Sequence, residues 1–272
     1  MQGRGDRGRV IRSDGARVVG TKASPASGIC SSEARFRSPP EAVEYSVCMQ
    51  TRLADPAYTL PLYGKSEAAQ IVQAPSSSFA RWANGQQFDQ RDGQAGWTPP
   101  LLTGVTEGRG LTVPFDALAE AFIVESFRKA GLHMTRIRPA VEVLRKEMGL
   151  RQALLSDKLR TDGAEILYEK GENQLIVVRN GQGVFNEVVA EFLESIDYGD
   201  GFAQRIRLPF FEPIDVMVDP RLNGGQPTIA RIGVSIHDVV GRVKAGESKR
   251  DVAEDYGLTA PEIRSLITRA AA

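Results

Sequence analysis

Val218-Asp219-Pro220-Arg221-Leu222-Asn223-Gly224-Gly225-Gln226-Pro227-Thr228-Ile229-Ala230-Arg231-Ile232-Gly233-Val234 is the stretch on which the reading of this chain turns. Gly and Pro recur where tight turns are needed. The apolar residues among and just before them (Val216, Val218, Ile229, Ile232, Val234) are spaced for a small, half-buried β-element. Three helical patterns follow, over 235–245, 248–255 and 261–271, with breaks at Gly246 and Gly257. The last two read as a helix-turn-helix. Ala253 is small where the helices would cross, Gly257 supplies the positive φ of the turn, and Ile263 points into the joint core. Val252, Tyr256, Leu258, Leu266 and Ile267 complete the apolar seam.

The run from Asp219 through Arg231-Ile232 and Gly246-Glu247-Ser248 to Tyr256-Gly257-Leu258 resembles the family called domain of unknown function 433, whose members look like VapB-type antitoxins. That family's pattern is Asp-Pro, Gly-x-Pro-x-Ile, Thr-x-Ile-x-Val, Gly-Glu-Ser and a terminal set of three helices. This chain carries Ala230-Arg231 where Gly-Thr or Gly-Thr-Arg is usual. The resemblance implies an antitoxin that neutralises a PIN-domain ribonuclease toxin and represses its own operon by binding DNA. The partners it implies are the toxin and operator DNA, with a homodimer or a toxin–antitoxin hetero-oligomer as the assembly.

Upstream, residues 58–82 form a second helix-turn-helix pattern. Ser66 is placed to cap a first helix with Ala69 and Val72 facing inward, and Ser76 to cap a second with Phe79 and Trp82 on one face. The arrangement resembles the winged helix-turn-helix of MerR-type regulators, with Gln73 where Gly is usual in the turn. Residues 84–112, rich in Gly, Gln and Pro, fit a long wing or loop. A helix over 115–130 follows, with Leu118, Phe122, Ile123 and Phe127 on one side, stopped by Gly131. Another over 135–148 buries Ile137, Val141 and Leu144.

The expected fold class is α+β and mostly helical: a winged helix-turn-helix over 45–150, a small α+β domain over 151–212 and a three-helix domain over 213–272. Residues 1–44 are Gly- and Arg-rich without apolar periodicity and are expected to be disordered or a mis-assigned start. In the middle segment a hairpin over 165–168 and 174–178 turns at 170–173, a helix runs over 184–196, and a strand over 203–208. This part is acidic, which suits a protein partner better than DNA.

Lys plus Arg and Asp plus Glu are both 34 in 272 residues, so any attraction to DNA has to be local. The two cysteines, Cys30 and Cys48, form neither a disulfide framework nor a zinc spacing, and point to a reducing cytoplasm. No apolar run is long enough to span a membrane. His133 and His237 lack a second metal-spaced ligand and read as helix-start residues, and no phosphate loop or nucleophile elbow is present. No catalytic residue, metal or cofactor is therefore expected.

Two rival sets could read DNA: Ser76, Ser77, Ser78 and Arg81 at the first motif, or Lys249, Arg250, Thr259, Arg264, Ser265 and Arg269 at the second. For the toxin, Arg205 and Arg207 on one face of an alternating strand, followed by the apolar Phe210 and Phe211, are the expected grip, with the segment 221–231 as the other candidate. A stand-alone transcriptional regulator with a ligand-sensing middle domain is the alternative function.

Overall fold

The structure, a computed structural model, describes residues 55–89, 95–161, 178–179, 182–183 and 193–270. The expected disordered start at 1–44 and the hairpin over 165–178 lie outside these residues apart from Val178. The class is α+β, as expected. Asp55 accepts from the Ala57 N–H and, with Pro56 behind it, starts the short helix α1 (Pro56–Thr59). Strand β1 (Pro61–Tyr63) then pairs with β4 (Val113–Pro114), a strand more than forty residues later, so the whole first motif is enclosed between the two.

Within that enclosure α2 (Lys65–Ile71) and α3 (Ser76–Asn84) form the helix-turn-helix. The caps differ from expectation. Gly64 is the N-cap of α2, its N–H donating to Glu67 at 3.2 Å, and Pro75 precedes α3, so Ser66 and Ser76 fall inside the first turns. Gln73 takes φ 56°, so the turn keeps the left-handed geometry that Gly would give, at some steric cost. Strands β2 (Gln86–Asp89) and β3 (Ala95–Thr98) make the wing.

Helix α4 (Phe115–Lys129) is buried on every side from Phe115 to Phe127, not on one face as its apolar pattern suggested. The chain wraps it: α1, α3, β1 and α5 (Met134–Met148) all contact it. Gly149, at φ 63°, ends α5, and a short 3-10 turn leads to α6 (Lys158–Thr161). A two-residue ladder joins β5 (Val178–Arg179) to β6 (Gln182–Gly183).

Five antiparallel strands build the second half: β7 (Ile196–Gly199), β8 (Phe202–Arg207), β9 (Val216–Val218), β10 (Thr228–Ile229) and β11 (Val234–Ser235), lying in sequence order across the sheet. Asp200 and Gly201, both at positive φ, make the tight β7–β8 turn. Leu193 is helical and β7 begins at Ile196, while the rest of the helix expected over 184–196 lies outside the described residues. The sheet also crosses the boundary expected at 212, because Ile206 pairs with Val218. Ser235 and Ser248 cap α7 (Ile236–Lys244) and α8 (Lys249–Asp255), each worth about 1 kcal/mol, and α9 (Ala260–Ala270) closes the chain. Val252, Ala253, Leu258, Ile263 and Leu266 are buried in the joint core, and Gly257 adopts φ 59°, as the spacing predicts. Among the described residues no helix is long and apolar enough to cross a membrane.

The two halves are fastened at the 219–226 loop. The Tyr63 hydroxyl, fully buried, donates to the Gly225 carbonyl at 2.8 Å, and Gln226 donates to Glu67 at 2.6 Å. Arg221 bridges to Asp55 at 2.9 Å and lies over the Tyr58 ring. Burial, with Glu67 and Asp219 nearby, pushes the Tyr63 phenol well above its ordinary pKa and keeps it a donor. Tyr63→Phe leaves the buried Gly225 carbonyl without this partner and is expected to lower unfolding free energy by about 1–2 kcal/mol, read as a lower urea midpoint at unchanged slope. Gly225→Ala is expected to cost more, since φ there is +81° and a Cβ would collide with the Tyr63 hydroxyl.

Candidate nucleic-acid interface

Phe79 and Trp82, three apart, sink into the core with ring centroids 6.4 Å apart and fix which face of α3 is outward. That face carries Ser76, Ser77 and Arg81 in the open, with Ser78 half-buried. Arg81 donates from Nε to the Ser77 carbonyl at 3.1 Å, which lays its guanidinium along the helix surface. The first of the two rival sets is thus brought together on one exposed helix.

Beside α3 lies a cleft of about 560 Å³, bounded by Gln86 and Thr98 at the root of the wing and by the corner between α4 and α5. Three guanidinium groups line it, Arg81, Arg128 and Arg138, with His133, and no carboxylate does. Each arginine is held in place. Arg128 bridges to Glu125 at 3.0 Å and stands 5.6 Å from the Trp82 ring centre, while Arg138 donates to the Pro99 carbonyl at 2.7 Å. Partial burial lowers the Arg138 pKa, yet a guanidinium stays charged. Such an array of fixed donors suits phosphate oxygens. Arg128 and Arg138 were not expected from the sequence. Their only signal was a basic residue on each side of Gly131, and the cleft exists because α5 folds back beside α3.

On the wing, Phe88 covers Gly96 across the strands and Trp97 lies beside Gly85; both aromatic rings are substantially exposed. Gly85 sits at φ +74° against Thr98 and Trp97, so no larger residue fits there.

The second set is divided. Thr259 is engaged in a reciprocal cap of α9: its N–H and hydroxyl both reach Glu262, which also holds Arg231 at 2.9 Å. The Thr259 N–H, then the Thr259 hydroxyl and Arg231, hold the Glu262 carboxyl below its usual range against the desolvation that raises it. Arg269 donates to Ser265. Lys249, Arg250 and Arg264 are brought together around a separate groove between α8 and α9.

The expected toxin grip is largely committed within the molecule. β8 is an interior strand flanked by β7 and β9, not an edge, because β9 adds along its other side. Arg205 bridges to Asp219 at 3.1 Å and to Asp197 at 3.4 Å, and Arg207 bridges to Asp197 at 3.1 Å. Phe211 is buried, and Phe210, 4.7 Å from it, lines a small crevice with Val72 and Phe122 of the first half. In the other candidate segment, Arg221 and Arg231 are bound to Asp55 and Glu262. His133 and His237 stand at the starts of α5 and α7. Among the described residues no group of three or more His, Cys, Asp or Glu is arranged to hold a metal ion.

Two family models match the chain: one described as "Putative DNA-binding HTH domain" over residues 61–141, and one described as "Protein of unknown function (DUF433)" over 216–268. A Mycobacterium tuberculosis protein named "Putative antitoxin VapB45" is 36% identical over 230 residues, covering 79% of this chain and 96% of that protein. From the same organism, "Uncharacterized protein Rv2308" is 27% identical over 221 residues, covering 76% and 88%. The crystal structure of Rv2018 from Mycobacterium tuberculosis superposes with a TM-score of 0.63 at 36% identity, over 77% of this chain and 99% of that one.

The segment 101–103 is pinned to the core by Glu120, which has no exposure. Glu120 accepts from the Thr103 N–H at 2.6 Å and faces Arg145 at 3.6 Å, while Arg145 donates to the Leu101 carbonyl at 2.7 Å. Burial pushes the Glu120 carboxyl from 4.5 up to about 7, against the opposing pull of Thr103 and Arg145. The folded chain therefore binds more protons than the unfolded chain between about 4.5 and 7. The stabilisation is full below that window and is lost as pH rises through it, by at most about 3 kcal/mol. Glu120→Gln is expected to remove this downward slope in a series of urea unfolding curves across the same pH range.

Proposed function

We propose, on the premise that the chain belongs to the same family as the mycobacterial protein named putative antitoxin VapB45, that it is the antitoxin of a type II pair. In this reading it binds and neutralises a PIN-domain ribonuclease and represses its own operon as a DNA-bound homodimer or toxin–antitoxin hetero-oligomer. The observation that carries the DNA part is the carboxylate-free cleft holding Arg81, Arg128 and Arg138 beside the open face of α3. Helix α3 would enter the major groove with Ser76, Ser77 and Ser78 near base edges, and the cleft arginines would meet the flanking backbone phosphates. The wing, two exposed aromatics on a narrow ribbon, would lie over the neighbouring groove.

The first motif suits DNA better than the second. A carboxylate, Glu262, already occupies the N-terminal turn of α9, where a phosphate would otherwise approach. With the whole chain balanced in charge, affinity rests on few phosphate contacts, and its salt dependence is correspondingly shallow.

A gel shift of the full chain on its own operator region is expected to show Arg81→Ala weakening binding by roughly 1–3 kcal/mol, while Arg264→Ala leaves it unchanged. The reverse result assigns DNA to the C-terminal helices. Failure of the unmutated chain to shift any operator fragment removes the DNA part. Co-expression with the product of the adjacent reading frame is expected to give a stable complex and restored growth. A pair that neither associates nor neutralises leaves the stand-alone regulator as the reading.

A further inference from the structure

The groove between α8 and α9 is not explained by the DNA interface. Its floor is apolar, made by Ala253, Leu258 and Ile263, and its volume, about 440 Å³, has room for one or two large side chains. Lys249, Arg250 and Arg264 stand around its rim, all exposed. Among the described residues the side chains of these three make no hydrogen bond and no ion pair. Their neighbours in sequence behave differently: Arg205, Arg207, Arg221, Arg231 and Arg242 each hold at least one carboxylate. Arg242 in particular is clamped between Glu247 and Asp255 and lies over the Tyr256 ring. Of the ten Lys and Arg over 193–270, five hold a carboxylate and Arg269 holds Ser265; three of the remaining four converge on one groove. A single carboxylate, Glu254, shares the rim.

The geometry points to this groove as the docking site of an acidic amphipathic helix from a protein partner, its apolar side chains in the floor and its carboxylates against Lys249, Arg250 and Arg264. The inference rests on the antitoxin reading, under which that partner is the toxin. Nucleic acid fits the groove less well, since phosphates have no use for an apolar floor. An acidic helix matches both features, because apolar anchors bring affinity while the surrounding charges select the partner and speed its arrival.

The test uses the full chain and the protein encoded by the adjacent reading frame, with association measured by calorimetry. The triple variant Lys249→Glu, Arg250→Glu, Arg264→Glu changes exposed, unpaired side chains and is expected to keep the thermal midpoint and operator binding of the wild type. Its affinity for the partner should fall at least about 100-fold. Ala260→Tyr, which fills the groove from its exposed edge without opening the core, is expected to weaken the same complex in a less salt-dependent way. A wild-type pair that associates while both variants bind as tightly overturns the groove assignment and leaves the antitoxin reading standing. Loss of operator binding with partner binding intact overturns it in favour of a nucleic-acid surface. A wild-type pair that fails to associate overturns both.

Discussion

One buried hydrogen bond ties the architecture together: the Tyr63 hydroxyl donating to the Gly225 carbonyl across 162 residues of chain. A phenol with no exposure has to find a partner, and the only way to supply this one is to bring a Gly-rich loop against β1. Glycine at 225 is therefore a packing requirement as much as a turn residue. Around this point Glu67 serves two masters, with one carboxylate oxygen closing the start of α2 and the other receiving Gln226. Arg221 adds a bridge to Asp55 and a stacked face on Tyr58. At the far end of α2, Phe210 shares a small crevice with Val72 and Phe122. The start of the first helix of the helix-turn-helix is thus held by the C-terminal half.

Features written in local sequence were legible. The three C-terminal helices follow from Ser caps, Gly breaks and a seam at helical spacing, all decided within a few residues of where they act. The wing was legible by composition as a Gly-, Gln- and Pro-rich stretch, while its register, with Phe88 opposite Gly96 and Gln87 opposite Trp97, appears only in the fold. Features set by tertiary pairing were not. Helix α4 looked one-sided because Glu120, Glu125 and Asp116 usually mark a solvent face; here burial raises the Glu120 pKa against the pull of Thr103 and Arg145, and Asp116 receives Gln152. The second neighbour of the strand carrying Arg205 and Arg207, β9, lies beyond a proline-containing corner that local alternation does not reveal.

The same distinction applies to the sites. Ser76, Ser77, Ser78 and Arg81 share a helix face that sequence spacing alone could draw, whereas Arg128 and Arg138 join them only because α4 and α5 reverse direction at Gly131. In the C-terminal half, counting basic residues says little, since which of them are free is decided by partners such as Asp197, Asp219, Glu247 and Glu262. A site reading there has to start from subtraction: first the charges that fold the protein, then those left for something else.

The Glu67–Gln226 contact spans 159 residues, which has a bearing on synthesis. A ribosome delivers the two helices of the first motif long before the loop that braces them, at roughly 5–20 residues per second. During that interval β1 presents an unpaired phenol and the start of α2 lacks its second brace. The motif thus reaches its final form only when the nascent chain has passed the 219–226 loop. A product truncated before that loop would carry every residue of the first motif while remaining a softer, less defined version of it, so completeness of translation is itself built into the surface this protein presents.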